Sequence, residues 1–280
     1  MTSLVADYLH RWGAEPDGAV FSTPTSILAP ARVGDAPVML KIATEAEEAR
    51  GNQLMIWWRG RGAAGVLEHD DHAVLLERAV GTRSLVHMAE SGGNSDEEAT
   101  RILCEVGMRL HAVEAPADCT TPSDPIPLGQ WFGGLFAHAS TVGGFHTRAA
   151  VIARELLANQ REIHVLHGDL HHGNVLDFGA QQHPKTDGWL AIDPKYLIGD
   201  RAFDFTNILC NPTPEVAARP ARFARQVDVI ADAADLERER LLRWAVAWCA
   251  LSSSWATDDA TWRDSTIALG LQAERMLAAG

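Results

Sequence analysis

The sequence predicts an α+β fold of two lobes: a small N-terminal antiparallel β lobe, residues 1–80, and a larger, mostly helical C-terminal lobe, residues 81–280. Three observations predict it. Residues 20–80 read as short apolar strands with one helix among them. Beyond residue 95 the apolar residues recur at helical spacing. Within that second region, Leu166-His167-Gly168-Asp169-Leu170-His171-His172-Gly173-Asn174 sets a carboxylate five residues before a carboxamide. Apolar Val165, Leu166, Val175 and Leu176 bracket it, and a second apolar run, Trp189-Leu190-Ala191-Ile192, ends in Asp193. A chain of 280 residues is long enough for one large core or two lobes.

In order, Val38-Met39-Leu40-Lys41-Ile42 is an apolar strand carrying one lysine. Lysine is scarce: only Lys41, Lys185 and Lys195 occur, and arginine supplies the other positive charges. A helix is expected from Thr44, with Glu45, Glu47 and Glu48 in its first turns, where the dipole favours negative charge. One of the three is placed to pair with Lys41. Val74-Leu75-Leu76-Glu77-Arg78-Ala79-Val80-Gly81 is a buried strand running into a turn, as a hinge between lobes requires. Ser95, with Glu98 three residues on, reads as a capping box that opens a helix through Ile102, Leu103, Val106 and Leu110. Residues 116–127 are a proline-rich loop, and 131–138 and 148–160 are two further helices. Asp200-Arg201-Ala202-Phe203-Asp204-Phe205 begins another helix, and 236–255 and 262–277 form a helical cap.

Composition narrows the function. Lys+Arg 24 against Asp+Glu 37 leaves a net charge of −13, which argues against nucleic acid or an anionic membrane as partner. The same charge suits a small, cationic substrate drawn to an acidic cleft. Residues 1–20 lack an apolar core for a secretory signal. The apolar run 241–255 is broken by Arg243 and by serines 252–254, too short and polar to span a bilayer. Cys104, Cys119, Cys210 and Cys249 show no C-x-x-C pairing, so reduced thiols and a cytoplasmic location are expected.

The spacing of His167, Asp169 and Asn174 is that of a kinase catalytic loop, H-x-D-x-x-x-x-N, with a metal-binding aspartate on the next returning strand. Asp169 is placed to take the proton of a substrate hydroxyl. Asn174 turns an oxygen toward Mg²⁺, and Asp193 reaches the metal from the end of the following strand. Asp177-Phe178-Gly179 spells the D-F-G of protein kinases but lies only three residues past Asn174. The metal aspartate must come back to the site through a turn, which 179–188 supplies, so Asp193 is the expected ligand and Asp177 a strand-edge or loop residue. Lys41 is then the residue that reaches the nucleotide phosphates. At the hinge, Leu76 sits behind the adenine, and the C=O of Glu77 and N–H of Ala79 bond its edge. No G-x-G-x-x-G or Walker A motif occurs; the expected covering loop is Ser22-Thr23-Pro24-Thr25-Ser26, with Ser26 among the cofactor-binding residues. Gly168 stands where phosphorylation-switched protein kinases carry arginine, so a small-molecule acceptor is favoured.

These residues resemble the aminoglycoside phosphotransferase family, in its streptomycin 6-phosphotransferase and hydroxyurea-resistance kinase branch. The resemblance is carried by His167–Val175, by Leu190-Ala191-Ile192-Asp193-Pro194-Lys195, by Leu75-Leu76-Glu77-Arg78, by Gly199-Asp200-Arg201-Ala202-Phe203-Asp204 and by Arg59-Gly60-Arg61-Gly62-Ala63. It implies a bilobal protein-kinase-like fold, ATP and Mg²⁺, and antibiotic resistance as the role. It puts the base at Asp169, metal ligands at Asn174 and Asp193, the phosphate lysine at Lys41 and its helix carboxylate at Glu48, with Asp204 bracing the catalytic loop. The implied reaction moves the γ-phosphate of ATP to a hydroxyl of streptomycin or a related aminocyclitol, in a monomer or weak dimer. The alternatives are a kinase of hydroxyurea or of a small hydroxylated metabolite, and a nucleotide-binding pseudokinase; the presence together of Lys41, Asp169, Asn174 and Asp193 argues against the last. For a cationic acceptor, Trp255, Asp258 and Asp259 are the expected contacts, an aromatic face and two acids just past a buried helix.

Overall fold

A computed structural model describes residues 2–113 and 125–279. The N-terminal part is a sheet with one helix on each face. Helix α1 (Thr2–Arg11) leads through the short strands β1 (Glu15–Pro16) and β2 (Phe21–Ser22) to β3 (Ser26–Val33) and β4 (Ala36–Ala43). Helix α2 (Ala46–Trp58) follows, then β5 (Val66–His69) and β6 (Ala73–Glu77). The sheet runs β1-β3-β4-β6-β5, with β2 also on β3, and every pairing is antiparallel. Because strand side chains alternate, β4 sends Val38, Leu40 and Ile42 into a core with Val5, Tyr8 and Leu9 of α1. Met39 and Lys41 face the other way, into a cleft. In register, Lys41 stands between Leu28 of β3 and Val74 of β6.

The remainder is mostly helical. Helices α3 (Leu85–Ser91) and α4 (Gly93–His111) precede β7 (Ile126–Pro127), α5 (Leu128–Trp131), α6 (Gly133–Val142) and α7 (Gly144–Ala158). Strands β8 (Ile163–Leu166), β9 (Val175–Asp177), β10 (Trp189–Ala191) and β11 (Leu197–Asp200) follow, then α8 (Pro214–Ala217), α9 (Arg222–Ala233), α10 (Arg238–Trp255) and α11 (Ala260–Ala279). β9 and β10 form the out-and-back hairpin that the catalytic-loop reading requires. β11 pairs β8 antiparallel and β7 in parallel. One large core joins α4, α7 and α10 to these strands, and a buried Arg222–Asp96 pair (2.8 and 2.9 Å) ties α9 to α4. None of the helices among the described residues is long and apolar enough to cross a membrane.

Several local expectations are corrected. Ser95 is not a cap: α4 starts at Gly93, behind a positive φ at Gly92, so Ser95 and Glu98 lie inside the helix. Helix α2 starts at Ala46, with Glu45 at its N-cap making no side-chain capping bond. Asp200 ends a strand rather than starting an α-helix, and Arg201–Phe205 is a 3₁₀ turn capped by the Asp200 side chain. Of the proline-rich segment 116–127, residues up to 124, Cys119 among them, lie outside the described residues, and Ile126–Pro127 is a strand. Cys104, Cys210 and Cys249 are buried free thiols.

Candidate active site

The catalytic-loop segment is held rigidly from behind. Asp204, fully buried, accepts from the backbone N–H of His167 (2.8 Å) and of Gly168 (2.7 Å) and from His111 Nε2 (2.8 Å). Burial opposes its charge, but the His111 hydrogen bond, the electrostatic pull of the two histidines and the Gly168 N–H together outweigh it and keep the carboxyl below its usual range. His167 is fully buried; its Nε2–H donates to Ile192 O (2.9 Å) while Nδ1 accepts from Asp169 N (3.2 Å), which fixes one neutral tautomer. Burial lowers the His167 pKa accordingly. The ring thus bolts the start of the loop to the strand that delivers Asp193. Gly168 has φ +79°, and a Cβ there would lie 2.8 Å from Leu197, so glycine is required.

Asp169 and Asn174 meet as the spacing suggested. Asn174 Nδ2 donates to Asp169 O (3.0 Å) and reaches Asp169 Oδ2 (3.3 Å). The other carboxylate oxygen accepts from Asn207 Nδ2 (2.8 Å), and Asn211 in turn donates to Asn207 Oδ1 (2.9 Å). This chain of carboxamides had no sequence signal: Asn207 sits in a separate 3₁₀ turn, Asn207–Cys210.

Asp193 follows β10 in the left-handed region, φ +62°, a conformation few non-glycine residues adopt. Lys41, buried on β4, forms ion pairs with both Asp193 and Glu48. Glu48 is one helical turn before Gly51, where a Cβ would lie 2.2 Å from Pro194 O. Glycine at 51 therefore lets α2 press against the Asp193–Lys195 segment and bring Glu48 to Lys41. Burial, helped by the nearby Asp193, raises the Glu48 pKa. Burial also opposes charge on Asp193, yet the Glu48 hydrogen bond and Lys41 hold it well below the carboxylate range.

Two cavities border this group. One, about 390 Å³, is lined by Leu28, Met39, Leu76, Ala79, Leu176 and Ile192, with Ser26, Lys41, Glu48 and Asp193 at its polar side. Glu77 and Arg78, at the end of β6, complete its edge. The Glu77 carboxylate is engaged elsewhere, by Gly65 N (2.5 Å) and His183 Nε2 (2.9 Å), so only its backbone is available there. The other cavity, about 550 Å³, has Asp169 and His171 with Lys195 and Glu47 at its mouth, and Trp131, Trp248, Trp255 and Trp262 as walls. Trp255 packs edge-on against Trp131 (5.3 Å) and Trp248 (5.8 Å) and is 45% exposed. Asp258 and Asp259 do not line this cavity. Asp259 instead caps α11, accepting from Trp262 N (2.9 Å), because a carboxylate just before a helix is drawn to its free N–H groups. Besides Asp169, the acid lining the cavity is Glu47, whose carboxylate lies 3.4 Å from Lys195 Nζ.

The donor set suits Mg²⁺ bound together with a polyphosphate. Among the described residues no three His, Cys, Asp or Glu side chains converge as a metal cage. Mg²⁺ characteristically takes one or two carboxylates and completes its shell with water and substrate phosphate. Asn174 and Asp193 supply that kind of partial set beside Lys41.

Asp177 is the last residue of β9, at the strand edge as expected, but it is buried. It is 6% exposed and clamps the segment after β6: Arg83 Nε and Nη2 donate to its two oxygens (2.9 and 3.0 Å), and Gly81 N donates to its carbonyl (2.9 Å). A Cβ at Gly81 would collide with this carboxylate at 2.0 Å. The Arg83 hydrogen bond, working against burial, holds the Asp177 carboxyl down to about 2. A depressed carboxylate contributes stability that is full above the unfolded value near 4 and is lost as pH falls through the folded one. The melting-temperature gap between wild type and Asp177→Asn should therefore be widest above about pH 4 and close toward about pH 2. Thermal melts across that range check it; a gap independent of pH would exclude the Arg83 pair as its source.

The comparisons with known proteins agree with this geometry. The chain is 41% identical over 273 residues to streptomycin 3''-kinase from Klebsiella pneumoniae, across 96% of this chain and 98% of the relative. It is 30% identical over 274 residues to streptomycin 6-kinase from Streptomyces griseus, across 92% and 84%. Among solved structures, a choline/ethanolamine kinase family protein from Mesorhizobium loti superposes with a TM-score of 0.67 over 99% of this chain and 98% of that one, at 17% identity, which speaks for the fold. Residues 11–260 match the family described as aminoglycoside/hydroxyurea antibiotic resistance kinase, so the chain belongs to that family and is a phosphotransferase of protein-kinase-like fold.

Proposed function

We propose that this protein transfers the γ-phosphate of ATP, with Mg²⁺, to a hydroxyl of streptomycin, and that this confers resistance. The observation that carries the reading is the position of Asp169. It faces the tryptophan-walled cavity, while Lys41, Glu48 and Asp193 face the apolar cavity on the other side of the 193–195 segment. In this reading the adenine lies against Leu76 and bonds the C=O of Glu77 and the N–H of Ala79 at the lobe junction near residue 80. Lys41, kept in place by Glu48, binds phosphate oxygens, and Ser26 closes the strand side. Asn174 and Asp193 hold Mg²⁺, which when bound neutralises phosphate charge. Asp169, oriented by Asn207, takes the proton of the acceptor hydroxyl.

A guanidinium-bearing acceptor is supported by four indole side chains and a carboxylate, Glu47, in one lining, since flat cations interact with aromatic rings and pair with acids. The higher identity to the 3''-kinase than to the 6-kinase favours the 3''-hydroxyl. ADP release should be measured with streptomycin, with hydroxyurea and with no acceptor, and the product's phosphate placed by NMR. Streptomycin-dependent turnover giving a 3''-phosphate is the expected result. Turnover with hydroxyurea alone would replace the acceptor, and nucleotide binding without any acceptor-dependent turnover would sink the enzyme reading.

A further inference from the structure

We propose that Lys195 is a catalytic residue on the acceptor side, its ammonium bonding the phosphoryl group as that group passes to the acceptor hydroxyl. The inference rests on the phosphotransferase reading of the site and adds a role that the catalytic-loop pattern does not contain. Among the described residues, Lys195 is the sole lysine or arginine lining the tryptophan-walled cavity, and Asp169 lines it too. Its backbone is fixed, with Lys195 N donating to His167 O at 2.7 Å. Its stem lies against the catalytic loop: a Cβ on Gly168 would come within 3.1 Å of Lys195 Cβ. The side chain is only 22% exposed, so the ammonium has little room to wander.

Its partners are the telling part. Lys195 Nζ lies 3.4 Å from Glu47 and 3.9 Å from Glu48, longer than the roughly 2.7–2.9 Å of a charge-assisted hydrogen bond. An ammonium has three donors, and contacts of this length leave them for a stronger acceptor. Lys41, in contrast, is locked between Glu48 and Asp193 on the nucleotide side. The two lysines therefore flank the 193–195 segment from opposite cavities.

In the step itself, the acceptor oxygen forms a bond to the γ-phosphorus while the bond from that phosphorus to the bridging oxygen breaks. The bonding pair leaves with ADP, and the hydroxyl proton goes to Asp169. Lys195 keeps all its protons and donates one hydrogen bond to a non-bridging oxygen, which carries charge throughout and moves toward the acceptor side. Such a donor stabilises the transition state more than the bound substrates.

The test compares Lys195→Met and Lys195→Arg with wild type. Calorimetry would measure the Kd of ADP with Mg²⁺, with and without aluminium fluoride as a stand-in for the phosphoryl group, each with and without streptomycin. Wild type should bind ADP more tightly with aluminium fluoride. The Met variant should lose that tightening while keeping its ADP affinity, and its kcat should fall by about 10²–10³ at unchanged KM for ATP. The Arg variant should recover most of both. A Met variant with wild-type tightening and kcat overturns the proposal. So does one that loses ADP affinity and melting temperature together, which would make Lys195 a strut for Glu47 and Glu48. If wild type fails to phosphorylate streptomycin but the tightening still depends on Lys195, the acceptor assignment falls and Lys195 stands.

Discussion

Asp193→Ala should abolish Mg²⁺-dependent turnover, the largest effect expected of any single substitution here. Three consequences combine at that position. In the proposed reading Mg²⁺ loses a carboxylate, Lys41 loses one of its two anionic partners, and a buried lysine left with only Glu48 is poorly compensated. Mg²⁺ should then cease to tighten nucleotide binding, which calorimetry reads directly. Asp177→Ala provides the contrast, since it stands in the literal D-F-G. It should keep most of kcat and lose stability instead, by about 1–2 kcal/mol, less than a fully buried pair because Arg83 reaches solvent. Denaturant unfolding of the two variants beside steady-state assays decides the matter. Intact Mg²⁺ dependence in Asp193→Ala, with loss of it in Asp177→Ala, would reverse the assignment of the hairpin.

Asp169→Asn is expected to lower kcat by about 10²–10⁴, the usual contribution of a positioned general base, with nucleotide affinity retained. The surroundings add a refinement. Both carboxylate oxygens of Asp169 receive carboxamide N–H groups, from Asn174 and Asn207. An amide at 169 would set its own NH₂ against one of those donors unless a neighbour flips. Asn207 is the neighbour already tied to Asn211, so a flip there disturbs the pair behind it. A small fall in melting temperature should accompany the large fall in kcat. A variant with near wild-type kcat would remove Asp169 from the chemistry.

How much of this was legible beforehand depends on where the constraint lies. The two-lobed fold and the hairpin were readable because strand alternation and loop spacing are local properties of the chain. Lys41, Asp169, Asn174 and Asp193 were readable as a group because residue type and spacing follow from the chemistry proposed for them. Trp255 was named from its place past a buried helix, but Asn207, Lys195, Trp131, Trp248 and Trp262 were not, since they come from separate elements that only the fold brings to one cavity. Ser95 misled because its pattern is a true capping pattern, overridden two residues earlier by the glycine turn at 92–93. Asp258 and Asp259 lie outside the lining of that cavity for a related reason: an acid before a helix is equally suited to a pocket or a cap, and Asp259 accepts from the helix N-terminus.

The chain's economy in lysine has a practical side. Of Lys41, Lys185 and Lys195, the first is buried, the third half-buried, and only Lys185 is exposed, on the turn of the β9–β10 hairpin and outside the lining of both cavities. Mild amine-directed reagents therefore meet one accessible side chain, and a label or tether placed there leaves both mouths of the site open. An electrophile carried on a nucleotide or on an acceptor meets a different amine in each cavity, so the position of the adduct would report which mouth it entered.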